Sequence, residues 1–163
     1  MSISSFQGLI ADLGQSLNMA DMAADEDGYV GLVVDGHEIH IQYEADEDAV
    51  ILFTRLQEAD PDRRDAIYAL LLAANMFWQG TRGATFSIDF HTGRIFLAGR
   101  RALSNLGLDT VSEWIEGFAD VAAYWRSRIE AANDGGPLSN PDASVETALL
   151  EGLNGLPPDG TLA

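Results

Sequence analysis

Residues 29–56 read YVGLVVDGHEIHIQYEADEDAVILFTRL, and this stretch decides the fold class. β-Branched and aromatic residues gather there in three runs, Tyr29–Val34, His37–Glu44 and Ala49–Leu56, which predict three strands. Asp35-Gly36 between the first two is a two-residue hairpin signal, because both central positions of such a turn need positive φ. In the second run Ile39, Ile41 and Tyr43 alternate with Glu38, His40 and Gln42, so this strand has one buried and one wet face. Val50, Ile51, Leu52 and Phe53 make the third run apolar on both sides. Its second face calls for a cover besides the domain's own helices, a partner being one candidate. Together the runs predict an antiparallel meander.

Upstream, Phe6, Leu9, Ile10, Leu13 and Leu17 recur at the three-four spacing of one helix face. This predicts a helix from Ile3 to about Asn18, its stripe serving the core or a partner. Downstream, Asp60-Pro61 supplies a cap and a first helical position for a second helix to about Gln79, with Gly80 as the stop. Ile67, Leu70, Leu71, Ala74, Phe77 and Trp78 form one apolar face of it. Ala69, Leu72, Ala73 and Met76 form another. A helix so apolar is either central in the core or shared with a second chain, and the second option is preferred.

A second hairpin, Ala84–Phe90 and Arg94–Gly99, turns through His91-Thr92-Gly93. A last helix runs from Leu108 to about Ala132, capped by Asp109 or Thr110, with Trp114, Phe118, Val121, Ala122, Trp125 and Ile129 as its stripe. From Asn133 the composition shifts to Pro, Gly, Ser, Asn and Asp. The expected organisation is one folded domain over 1–132 and a flexible acidic tail over 133–163, in which Asn140-Pro141 could cap a short helix carrying Val145, Leu149 and Leu153. The element order is α-β-β-β-α-β-β-α. It predicts an α+β fold in which an antiparallel twisted sheet of about five strands packs against three helices.

The 163 residues suit a single domain, and 47% of them are hydrophobic, too many for a disordered chain. Twenty-six acidic residues stand against nine basic ones, all Arg, for a net charge of -17. Such a field repels phosphate backbones and anionic headgroups, which argues against nucleic-acid and membrane partners while leaving an acidic mimic of nucleic acid open. The absence of Cys excludes disulfides, thiol nucleophiles and Cys-type metal sites. No stretch has the pattern of a signal peptide or approaches the ~18 apolar residues of a bilayer span, so a cytosolic protein is expected.

Chemistry-bearing patterns are missing. His37 and His40 lie three apart on a strand and point to opposite faces, which prevents joint metal ligation. The acidic run Asp21–Gly28 imitates a calcium loop, but placing Gly28 sixth puts Ala23 first and Val34 twelfth, where carboxylates are required. Neither a nucleophile elbow nor a phosphate-binding glycine loop is present. No enzymatic activity, metal or cofactor is expected.

Three segments carry a resemblance. Arg64–Asn75 contains Leu71-Leu72-Ala73-Ala74-Asn75, similar to a "Leu-Leu-x-x-Asn" central helix. Phe86–Leu97 resembles a "small-x-Asp-x-x-Thr-Gly-x-hydrophobic-x-Leu" hairpin, and Phe118–Arg126 resembles a closing helix. In this order they resemble the class I type III secretion chaperones, the Tir-chaperone-like group of bacteria, over about 1–132. The resemblance implies a homodimeric, non-enzymatic chaperone of the bacterial cytosol that binds the N-terminal segment of a secreted effector and delivers it to the secretion ATPase. It implies a dimer contact at Ala69, Leu72, Ala73 and Met76. Client contacts are expected at Leu32, Val34, Tyr43, Leu52 and Phe53, with Phe6 at the edge, and the apolar run of the tail is a candidate cover for the empty groove. The rival expectation is an acidic regulatory or interaction protein of the same fold, bound to a folded partner or mimicking nucleic acid.

Overall fold

The computed structural model describes residues 2–138 apart from Ala20 and Gln79. The chain runs α1 (Ile3–Ser16), β1 (Tyr29–Val34), β2 (His37–Glu44), β3 (Ala49–Arg55), α2 (Arg64–Asn75), β4 (Thr85–Ile88), β5 (Ile95–Ala102) and α3 (Leu108–Asn133). The expected α+β architecture is present: one antiparallel sheet in the order β1-β2-β3-β5-β4, with three helices. Asp35 and Gly36 both adopt positive φ, 49° and 81°, and pair β1 with β2 so that Val30 faces Ile41 and Leu32 faces Ile39.

Register then sorts the side chains. Ile41 lies opposite Leu52, and Leu52 opposite Gly99, while Phe86 is paired with Leu97. These positions belong to the buried face, where they join Phe6, Ile10 and Leu13 of α1, Ile67, Leu70 and Leu71 of α2, and Phe118, Trp125 and Ile129 of α3. Trp125 sits edge-on against Phe86 at 5.0 Å and donates Nε1–H to the carbonyl of Gly80 at 2.8 Å. At Gly99 an added Cβ would lie 3.4 Å from the Trp114 ring, in van der Waals contact, which shows how closely α3 packs on β5.

Several expected boundaries move. The second helix starts at Arg64, because Asp60 and Pro61 build a turn. The Asp60 carboxylate accepts the Asp62 amide at 2.8 Å, and its carbonyl accepts the Arg63 amide at 3.0 Å. That helix ends at Asn75, since Phe77 and Trp78 take the left-handed conformation at φ 53° and 55°. Leu17 is exposed because α1 stops at Ser16. Thr110 serves the start of α3, but from its third helical position: its hydroxyl accepts the amide of Gly107 at 2.7 Å. β5 runs on to Ala102, and β4 closes at Ile88, where Asp89 begins the turn.

Ordered structure also continues past 132. Asn133 accepts the Asp60 amide and donates to the Glu58 carbonyl, both at 2.8 Å. Arg63 donates to the carbonyls of Ala132 and Gly136, and Leu138 packs against the core. The anticipated tail helix, with Val145, Leu149 and Leu153, lies outside the described residues.

Candidate functional site

All three helices contribute to a single core on one face of the sheet, which leaves the other face open. Side chains alternate across a strand, so the residues between the core positions point to this open face. They are Tyr29 on β1, His40 on β2, Ile51 and Phe53 on β3, and Phe96 and Ala98 on β5, all half-buried. Register places His40 opposite Phe53, and Phe53 opposite Ala98. The rings of Tyr29 and His40 stack at 5.9 Å, those of His40 and Phe53 at 4.9 Å. The Tyr29 hydroxyl is 2.7 Å from His40 Nδ1, and Gly31 permits this lean, since a Cβ there would meet that hydroxyl at 3.3 Å. The result is an apolar, largely aromatic band across the strands. Its flanks are charged, with Arg100 paired to Glu44 at 2.7 Å and Arg55 to Glu58 at 3.1 Å.

The band continues around the sheet edge. Ala98 pairs with Thr85, whose hydroxyl accepts the Trp78 indole N–H at 3.1 Å. Trp78 and Phe77 are 55% and 52% exposed. Two successive aromatic residues at positive φ cost of order 1 kcal/mol each or more. They persist because the loop is tied from within: buried Thr81 donates its hydroxyl to the Ala84 carbonyl, and the Trp78 carbonyl accepts the Thr81 amide.

Next to this loop, α2 shows an uncovered apolar side. Leu72 is 67% exposed and Ala69 is exposed as well, while Ala73 and Met76 are half-buried. Of the four residues expected at a dimer contact, Ala69, Leu72 and Ala73 therefore share the outer side of α2, and Met76 follows its last residue. Asn75, the last residue of the Leu-Leu-x-x-Asn run, joins this helix to β4. Its Oδ1 accepts the Phe86 amide at 2.8 Å and its Nδ2 donates to the Phe86 carbonyl at 3.2 Å, so that the side chain satisfies the strand's edge.

The residues expected at a client contact are distributed differently. Phe6 and Leu52 are wholly buried, and Leu32 and Tyr43 nearly so. Val34 is half-buried and packed against the core. These five occupy the helix-covered side because their strand parity, or in Phe6 the α1 stripe, turns them inward. Phe53 alone of the six stands on the open face. Tyr29, His40, Ile51 and Phe96, which the sequence does not single out, stand there too, and the alternation in β2 carried through the β2–β3 register places His40, Ile51 and Phe53 on that face.

Polar side chains play framing roles. The Tyr43 hydroxyl donates to Asp48 at 2.9 Å; burial raises the Tyr43 pKa, and the same hydrogen bond lowers that of Asp48. Asp89 accepts the Thr92 hydroxyl at 2.6 Å and the His91 amide at 3.0 Å, contacts that hold its carboxyl below the usual range and shape the β4–β5 turn. No group of three or more His, Cys, Asp or Glu side chains able to hold a metal occurs among the described residues.

The profile of the Tir chaperone protein (CesT) family matches residues 8–126, from the middle of α1 to the last turns of α3. The chain belongs to that family. Solved structures agree in fold. A chain of the ExsC–ExsE complex is 19% identical, with a TM-score of 0.67, covering 78% of this chain and 96% of that one. A chain of the HopA1–SchA chaperone–effector complex is 16% identical, with a TM-score of 0.64, covering 77% and 95%. A chain of the ExoT–SpcS complex from Pseudomonas aeruginosa is 21% identical, with a TM-score of 0.56, covering 74% and 96%. No curated protein sequence matches. No helix among the described residues is long and apolar enough to cross a membrane.

Proposed function

We propose that this CesT-family chain is a type III secretion chaperone, which binds the N-terminal segment of a secreted effector and keeps it soluble and competent for export. The observation that carries the reading is the open face of the sheet. A stacked Tyr29–His40–Phe53 strip with Ile51, Phe96 and Ala98 beside it forms a surface of the kind that soluble proteins keep for partners. An extended client segment lays alternate apolar residues on such a band, gaining roughly 25 cal/mol per Å² of apolar surface removed from water. Ordering the client offsets part of that gain, which leaves binding reversible. A hollow of about 750 Å³ beside β1, lined by residues that include Met19, Met22 and Tyr29, would take side chains of a strand added at that edge of the sheet.

The outer side of α2 suits a second copy of the chain. Leu72 and Ala69, flanked by Met76 and the aromatic residues of the following loop, would bury one another across a two-fold axis. The working unit in this reading is a non-enzymatic homodimer of the bacterial cytosol that hands its client to the secretion ATPase. A net charge of -17 keeps the apolar-patched dimer dispersed and favours clients with basic flanks.

The test is capture from the native bacterial lysate at high salt, with mass spectrometry of the captured protein and light scattering of the complex. The reading expects a dimer holding a secreted protein whose N-terminal segment suffices for binding, and Phe53→Glu should abolish capture. A monomer without a salt-resistant partner would overturn it.

A further inference from the structure

Behind the start of β2 and the end of β3 lies a cleft of about 380 Å³, lined by residues that include His37, Glu38, His40, Thr54, Arg55 and Arg126. Here the chain gathers two of its nine Arg and two of its three His residues. Arg126 comes from α3. Its Nη2 donates to the Thr54 hydroxyl at 2.6 Å and to the Arg55 carbonyl at 2.8 Å. Thr54, itself buried, donates its hydroxyl hydrogen bond to the Glu38 carbonyl at 2.6 Å. Nη1 of Arg126 is buried and lacks an acceptor, and among the described residues no carboxylate forms an ion pair with this guanidinium. Arg55, by contrast, is engaged by Glu58.

A half-buried guanidinium with one wholly buried, unpartnered nitrogen and no counter-charge is unusual, because desolvation of a charge must be repaid by a partner. It is more so in a chain with 26 acidic residues, any of which evolution could have placed beside it. Burial already lowers the pKa of Arg126. We infer that the cleft is a binding site for a carboxylate, with Arg126 as its cationic anchor and His37 and Arg55 at its sides. A carboxylate fits better than a phosphate dianion. Two acceptors already occupy Nη2, and the Glu38 carboxylate at the rim penalises a second negative charge.

His40 and Arg55 belong to both the cleft and the open face, so the cleft adjoins the apolar band. An acidic side chain of a segment lying on the band would reach it, a source that rests on the chaperone reading. A free small carboxylate is the other source.

The ¹⁵N-labelled full chain, titrated with sodium propionate at constant ionic strength, distinguishes these, with sodium chloride and sodium phosphate as controls. The amides of Gly36, His37, Arg55 and Gln57 should shift saturably with propionate, with a Kd on the order of 10 mM, and not with chloride. Arg126→Gln should abolish the response. Glu38→Gln, an exposed change that leaves the core intact, should tighten binding several-fold. An acidic peptide, acetyl-VLEVL-amide, binding at least tenfold tighter than propionate, with the gain lost in acetyl-VLQVL-amide, would mark the carboxylate as segment-borne. Equal affinities would mark it as a free metabolite. Absence of a saturable shift, the same shift with chloride, or an unchanged response in Arg126→Gln would overturn the inference. None of these readouts needs a client, so they fail or succeed independently of lysate capture.

Discussion

Asn75→Ala isolates the contact that ties the central helix to the sheet. The Asn75 carboxamide serves both backbone polar groups of Phe86, a residue only 6% exposed. Truncation orphans an N–H and a C=O, each worth about 1–3 kcal/mol when left unsatisfied. The neighbouring aromatic residues are exposed, so water reaches part of this edge and the lower half of that range applies, giving about 2–4 kcal/mol for the pair. Alanine is the better helix former by roughly 0.5 kcal/mol, which offsets a little. A net loss of about 1.5–3.5 kcal/mol remains, equivalent to roughly 5–12 °C in Tm for a domain of this size. The assay is urea unfolding followed by circular dichroism at fixed protomer concentration, since any self-association adds concentration-dependent stability. Asn75→Asp should recover only part of the loss, because it keeps the acceptor for the Phe86 amide and presents a second acceptor to the Phe86 carbonyl. A loss below about 0.5 kcal/mol in Asn75→Ala would refute the reasoning, placing the helix–strand junction under the control of apolar packing alone.

Leu72→Glu puts a charge on the outer side of α2 and should halve the mass seen by light scattering, while leaving far-UV circular dichroism unchanged. Leu52→Ala, in the core, should cost about 2–5 kcal/mol of stability, whereas Phe53→Ser, one residue along on the open face, should cost far less and act on client capture instead. The Asp89 carboxyl is held below its ordinary pKa by Thr92 and His91, so its contribution is complete above about pH 5 and is lost as pH falls through the lowered folded value. Urea midpoints measured at pH 7, 4 and 3 should therefore fall more steeply for the wild type than for Asp89→Asn.

Local signals made the architecture legible from the residues. Asp35-Gly36 encodes its own turn, because positive φ at two successive positions is a property of those residue types. The α1 and α3 stripes are likewise visible, since a helix face repeats within one element. The end of α2 was not legible. Nothing local forbids helix at Phe77 and Trp78, and their left-handed backbone arises where Thr81, Gly80 and Trp125 tie the loop to the core. The start of α2 was hidden for the same kind of reason, as Asp60 and Arg63 are engaged by the end of α3, some seventy residues away.

Which apolar residues belong to the core and which to the open face is also a tertiary matter. Ile51, Leu52 and Phe53 are comparable in hydrophobicity, and composition cannot rank them. Parity divides them into two sets, but the choice between the sets is made where α1 and α3 pack. Those helices cover Leu52 with its cross-strand neighbours Ile41 and Gly99 and leave Phe53 beside His40 and Ala98. Sequence alone determined the order of elements, the acidity and the outer apolar side of α2, because each is carried by residues near one another in the chain. The aromatic band and the Arg126 cleft were decided only by tertiary structure, since each joins side chains from separate strands or helices that no local pattern relates.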